Sequence, residues 1–214
     1  MLEAAGLECV RQKRTLFRSL SFSLTRGERL RIAGANGSGK TSLLRILCGL
    51  LTPDAGEVRW KSEPIGALRE EYSRQIVYLG HAPAVKDDLT AAENLEIACR
   101  LAGFPAKAGA ALERLGIAAD VPVRKLSQGQ RRRAALARLV VSEQVPLWLL
   151  DEPYAALDPQ ATAIVDALLA AHAARGGAVI FTTHQETGAA ATRDDCTKAL
   201  ALQRKSSRPI SSSF

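Results

Sequence analysis

Apolar and polar residues alternate over Arg29–Ala33, with Arg29 and Arg31 on one side and Leu30 and Ile32 on the other. A period of two predicts a half-buried strand with the arginines on its polar face, and Gly27 just before it marks a turn. Past Gly34–Thr41 the period lengthens. Leu43, Leu44, Leu47, Leu50 and Leu51 share one helical face, which ends in the turn Thr52-Pro53-Asp54-Ala55-Gly56. Glu57–Trp60 and Ile76–Leu79 read as short strands. From about Thr90 to Val141 the chain is rich in Ala and Leu at helical spacing, which predicts an inserted helical lobe over about residues 82–141. Leu147-Trp148-Leu149-Leu150 is a continuous apolar run, as a parallel strand covered on both faces requires. A helix with Ile164, Val165, Leu168 and Leu169 on one stripe follows, and Ala178-Val179-Ile180-Phe181 is a second buried strand. Buried strands alternating with helices imply a layered α/β fold. We expect one domain over residues 1–204 and a disordered, Ser-rich, basic tail over 205–214.

Composition agrees with that picture. The 214 residues are 47% hydrophobic and 24% charged, which suits a soluble domain that buries its core without disulfides or structural metal. Cys9, Cys48, Cys99 and Cys196 are scattered and form no C-x-x-C pair, so they read as small buried thiols of a reducing compartment. No stretch approaches the roughly 20 apolar residues that span a bilayer, and the first residues lack the apolar core of a signal peptide. The expected location is therefore cytoplasmic, with any membrane contact made through a partner. The net charge of +7 is concentrated at Arg11–Arg14, Arg131–Arg133 and Arg204–Arg208. Such clusters serve phosphate-rich ligands, nucleic acid or an anionic membrane, but they equally form a solvated surface. Of the histidines, His172 reads as a surface or partly buried helix residue.

Gly34-Ala35-Asn36-Gly37-Ser38-Gly39-Lys40-Thr41 fits G-x-x-x-x-G-K-[ST] between a predicted strand and a predicted helix, with Ser42 following. Its glycines let backbone N–H groups wrap a β-phosphate, and the helix N-terminus adds partial positive charge. Lys40 reaches the β- and γ-phosphates of ATP, and the Thr41 hydroxyl sits on Mg²⁺. Asp151-Glu152 closes the apolar run at Leu150: Asp151 is placed to hold Mg²⁺, and Glu152 to orient or deprotonate an attacking water.

Leu126-Ser127-Gln128-Gly129-Gln130 resembles the signature motif of ABC ATPases, with Gln128 where Gly is commoner. On physical grounds Ser127 caps a helix running to about Val141, and Gly129 permits close approach of a phosphate. Ala155-Ala156-Leu157-Asp158 resembles that family's D-loop, with Asp158 in its acidic position, and His184 its switch histidine. The resemblance runs from about residue 2 to residue 190. It implies a P-loop NTPase core of mixed sheet and flanking helices, with an antiparallel β-subdomain and an inserted helical subdomain. It further implies a homodimer that sandwiches ATP between the Lys40 loop of one copy and the Ser127 loop of the other, with His184 at the γ-phosphate and membrane-spanning permease subunits as partners.

Two positions depart from the family. His81 stands where a glutamine usually contacts Mg²⁺ or the water; imidazole is a poorer ligand for a hard cation, yet it can hydrogen-bond water and titrate. Arg11 stands near the aromatic that usually stacks on adenine, and a guanidinium plane can stack in its place. Tyr78-Leu79-Gly80-His81-Ala82-Pro83, Lys86, Leu89-Thr90 and Glu93-Asn94-Leu95 resemble the ATP-binding subunit of the cytochrome c maturation haem exporter. So do Arg14-Thr15-Leu16-Phe17, Ser21-Phe22 and Thr41-Ser42-Leu43-Leu44-Arg45. That resemblance implies a peripheral subunit at the cytoplasmic face of a bacterial inner membrane, linked only indirectly to haem. The segment after about Ala190 departs from the family's pattern of further strands. A nucleic-acid-associated ABC ATPase is favoured only by charge, so no specific nucleic acid is expected. A GTPase would need N-K-x-D, which the sequence lacks.

Overall fold

The computed structural model describes residues 1–104, 107–184 and 197–202. The basic tail, Cys196 and the stretch from Gln185 to that cysteine lie outside the described residues.

The chain starts with a long hairpin, β1 (Leu2–Arg11) and β2 (Arg14–Leu24). Gln12 and Lys13 at its tip have φ of 50° and 62°, the paired left-handed geometry whose twist matches the flanking strands. β1 also pairs antiparallel with β4 (Ala55–Trp60), which carries the short β5 (Glu63–Pro64), giving a four-stranded sheet ordered β2-β1-β4-β5.

The second sheet holds β3 (Arg29–Ala33), β6 (Ile76–Leu79), β7 (Leu147–Leu150), β8 (Ala178–Thr183) and β9 (Thr197–Ala201) in the order β6-β7-β8-β3-β9, with every described pairing parallel. Parallel strands need covered faces, and the four residues of β7 show how that is met. Leu147 and Leu149 pack with the antiparallel sheet and α1 (Lys40–Leu47). Trp148 and Leu150 pack with α3 (Ala91–Ala102), α4 (Ala108–Arg114), α5 (Gln128–Val141) and α6 (Pro159–Ala174). The helices α3, α4 and α5 form a bundle inserted between β6 and β7. The two-turn α2 (Ile65–Ser73) leads into β6.

Three sequence expectations change here. β3 is not half-buried: it lies between β8 and β9, and Arg29 is only 6% exposed. The first helix stops at Leu47, because Gly49 takes φ 73° and the Gly49 and Leu50 amides turn back to the Ile46 and Arg45 carbonyls. Leu50 is thereby thrown outward, 65% exposed. His172 is neither surface nor half-buried but 1% exposed, stacked on Trp148 with ring centroids 3.7 Å apart.

Candidate nucleotide site

The loop between β3 and α1 is built by close backbone approach. A Cβ on Gly34 would lie 2.7 Å from both the Leu202 carbonyl and Ser38 Oγ, so the loop starts wedged under the residue that follows β9. Gly39 precedes α1 at φ 102°, and a Cβ there would press on Leu16 at 3.0 Å and on Phe17 of β2. No side chain caps α1 and its first turn holds no acid, so its N-terminal amides are available to an anion. Ala35, Asn36 and Gly37 are exposed, while Ser38 and Lys40 are buried beneath them. Lys40 Nζ donates to the carbonyls of Gly34 at 2.6 Å and Ala35 at 3.2 Å and lies 3.4 Å from His184 Nδ1.

The two acids at the end of β7 have different surroundings. Asp151 is fully buried: Oδ2 accepts from Thr41 Oγ1 at 2.8 Å, and Oδ1 from Thr182 Oγ1 at 2.7 Å. A hydroxyl and a carboxylate converging in this way are the hard oxygen donors that Mg²⁺ prefers. Glu152 adopts φ 53°, unusual for a side chain of its size, and its amide donates to the same Thr182 hydroxyl at 2.9 Å. Its carboxylate sits between two imidazoles, with Oε1 in contact with His184 Nε2 and Oε2 3.3 Å from His81 Nδ1. Glu152 is 12% exposed at the side chain, whereas His81 is 67% exposed.

Asn36, Gly37, Gly39–Ser42, His81, Glu152 and His184 line one cavity of about 610 Å³. Its far wall is the hairpin tip, with Arg11, Gln12, Arg14 and Leu16 and no aromatic ring. Arg11 lines this cavity with the edge of its guanidinium already engaged. It pairs with Asp54 at 3.2 Å and donates to the Val10 and Thr52 carbonyls.

The signature residues stand apart from that cavity. Ser127 caps α5 by accepting from the Gln130 amide, while the Gln130 side chain accepts from the Ser127 amide at 2.8 Å, a reciprocal capping box. Leu126 is buried, and Ser127 and Gln128 face outward. Within this chain the group that closely approaches Gly129 is the Ala156 carbonyl, 2.6 Å from where a Cβ would be. Asp158 caps α6 by accepting from the Ala161 amide at 2.7 Å.

Two residues of the site escaped sequence reasoning. Thr182, buried in β8, orients both acids. Arg132, read above as part of a basic cluster, is 4% exposed and bonds four backbone carbonyls around Glu152 and His81. Burial lowers its pKa, and the charges of Asp151 and Glu152 oppose that shift. The signal was present: Arg132 falls on the apolar stripe of α5 with Ala135, Leu136 and Leu139, at i, i+3, i+4 and i+7.

The model of the ABC transporter family matches residues 17–155. The chain is 54% identical over 191 residues to the cytochrome c biogenesis ATP-binding export protein CcmA of Aromatoleum aromaticum, covering 87% of this chain and 89% of that protein. It is 51% identical to the protein of the same name from Nitrosomonas europaea, with the same coverage. A Salmonella typhimurium counterpart is 48% identical over 204 residues, 94% of this chain and 97% of that one. Among solved structures, an ABC transporter ATP-binding protein of Pyrococcus furiosus superposes with a TM-score of 0.79 at 23% identity, covering 93% of this chain and 96% of that one. The cassette MJ0796, in a dimeric post-hydrolysis state bound to ADP and Pi, superposes with a TM-score of 0.74 at 24% identity over 86% of this chain and 88% of that one.

Proposed function

The chain belongs to the ABC transporter family, and from that premise we propose that it is the ATP-hydrolysing subunit of a membrane export system for cytochrome c biogenesis. The observation that carries the chemistry is the position of His184, in contact with both Lys40 and Glu152 although the three lie far apart in sequence. One histidine thus joins the phosphate loop to the acid that follows the buried strand.

In this reading the loop amides and Lys40 hold the β- and γ-phosphates. Thr41 and Asp151 hold Mg²⁺, which supplies charge neutralisation on the phosphates when bound. Glu152 takes a proton from the attacking water as its oxygen bonds to the γ-phosphorus and the bond to the ADP oxygen breaks. His184 and His81 fix the two oxygens of that carboxylate. Ser127 and Gln128 face outward at a helix N-terminus, where with Gly129 and Gln130 they complete the ATP site of a second copy. No helix of the described residues is long and apolar enough to cross a membrane. In this reading its partners are membrane-spanning permease subunits of the same system. The subunit works as a peripheral protein on the cytoplasmic face of the inner membrane. Haem is handled by those partners and not in the nucleotide cavity.

Glu152→Gln tests the base. The variant is expected to bind ATP, to lose about 10²–10⁴-fold in turnover and to accumulate as an ATP-bound dimer in size-exclusion chromatography. Turnover at the wild-type rate would place the base elsewhere. The transport role is checked by deleting the gene and staining for covalent c-type cytochromes. Normal levels would remove the cytochrome assignment and leave the ATPase intact.

A further inference from the structure

We propose that Arg132 is a positioning residue for ATP hydrolysis, a single buried guanidinium that sets the spacing between His81 and Glu152. The proposal rests on Glu152 being the base. β6 and β7 are paired through Leu79 and Leu150, and the last backbone bond between them runs from the Asp151 amide to the Leu79 carbonyl. Beyond that point the two segments have no rung of their own. Arg132 supplies one. Nη1 donates to the Gly80 and His81 carbonyls at 2.9 and 3.2 Å, and Nη2 to the Asp151 and Glu152 carbonyls at 2.6 and 2.7 Å.

Each terminal nitrogen therefore serves one segment, and the rigid plane between them fixes the separation. The His81–Glu152 contact of 3.3 Å lies just past this rung. The bonds go to carbonyls and not to the neighbouring carboxylates, which leaves the oxygens of Asp151 and Glu152 for Thr41, Thr182 and the histidines. Because Arg132 is carried by α5, whose first turn is the Ser127 cap, a shift of that helix moves the rung and with it the base. A lysine ammonium cannot span both pairs of carbonyls.

The test uses Arg132→Gln and Arg132→Lys in the full chain. It measures kcat and KM for ATP, the Kd of a fluorescent ATP analogue, and thermal melting, with His81→Ala introduced into each background. Displacement of a reacting group by about 1 Å costs up to about 100-fold. Both variants should therefore lose about tenfold or more in kcat while Kd stays within about threefold. His81→Ala should cost less in the Arg132→Lys background than in the wild type. The proposal is overturned by a folded variant whose kcat stays within about twofold of wild type, or by an equal cost of His81→Ala in both backgrounds. Failure of both variants to fold also overturns it, since the guanidinium would then be a structural strut. If Glu152→Gln is inactive while the Arg132 variants are not, only the positioning role fails. If Glu152→Gln turns over normally, both readings fail.

Discussion

The hydroxyl of Thr182 donates to Asp151 Oδ1 and accepts from the Glu152 amide, so one side chain of β8 orients both acids at the end of β7. Thr182 is fully buried. Thr182→Val keeps the shape but leaves a carboxylate oxygen and an amide short of a partner, at a cost of about 1–3 kcal/mol in urea unfolding. Turnover should fall more than nucleotide affinity does. Thr182→Ser retains both bonds and should stay near wild type in both measurements.

Acid should destabilise the fold through His172. Burial lowers its pKa to about 4, and nearby Arg175 adds to the effect. Glu143 opposes the shift through its charge and its backbone without cancelling it. The unfolded chain binds the proton first, so stability is constant above about 6.5 and falls as pH drops from there towards 4. At about 1.4 kcal/mol per pH unit, the loss from this group is capped at roughly 3 kcal/mol. His172→Phe preserves the stack on Trp148 and should flatten that part of the pH profile, measured as the difference between the two proteins in urea unfolding from pH 7 to pH 4.

Ser127 has two separable roles. Ser127→Ala removes the cap of α5 and should lower stability by about 1 kcal/mol. Ser127→Asp restores a capping oxygen but sets a negative charge where the second copy's triphosphate is proposed to sit. That variant should melt near the wild type and yet fail to form the ATP-dependent dimer, read by size-exclusion chromatography. Dimer formation by Ser127→Asp at wild-type ATP concentrations would contradict the sandwich arrangement.

Gly129→Ala addresses the contact with Ala156. Its Cβ would fall 2.6 Å from that carbonyl, and Ala156 is itself held at φ 61°. The backbone has little room to yield, so a loss of about 1–3 kcal/mol is expected. The D-loop should be displaced and ATPase activity reduced. Unchanged melting and turnover would show that the two loops separate freely.

The layered core was legible because its signals are local: the run Leu147–Leu150 had to be covered on both faces, and Ser127 could cap a helix running to about Val141. Gly34–Thr41 and Asp151-Glu152 could be placed at the ends of strands because each is written in consecutive residues after an apolar or alternating run. What escaped depends on distant partners. The burial of Arg29 follows from β8 and β9 flanking β3, which its own alternation cannot reveal. The burial of His172 follows from Trp148, a residue on another element. Arg132 sits in a basic cluster that suits a phosphate-rich ligand or a solvated surface alike, and three consecutive arginines hide which of them points inward. The pairing of Arg11 with Asp54 could not be read either, since Asp54 comes from the turn before another strand.

The strand that launches the phosphate loop pairs with β8 and β9, so Arg29 finds Val179 on one side and Thr197 on the other. Gly34 then lies under the Leu202 carbonyl. During synthesis the glycine-rich loop and the hairpin tip that faces it emerge early, whereas β8 and Leu202, against which Gly34 packs, emerge late. A nascent chain that stops before β8 lacks Thr182 and His184, the two side chains that hold Asp151 and Glu152 in place.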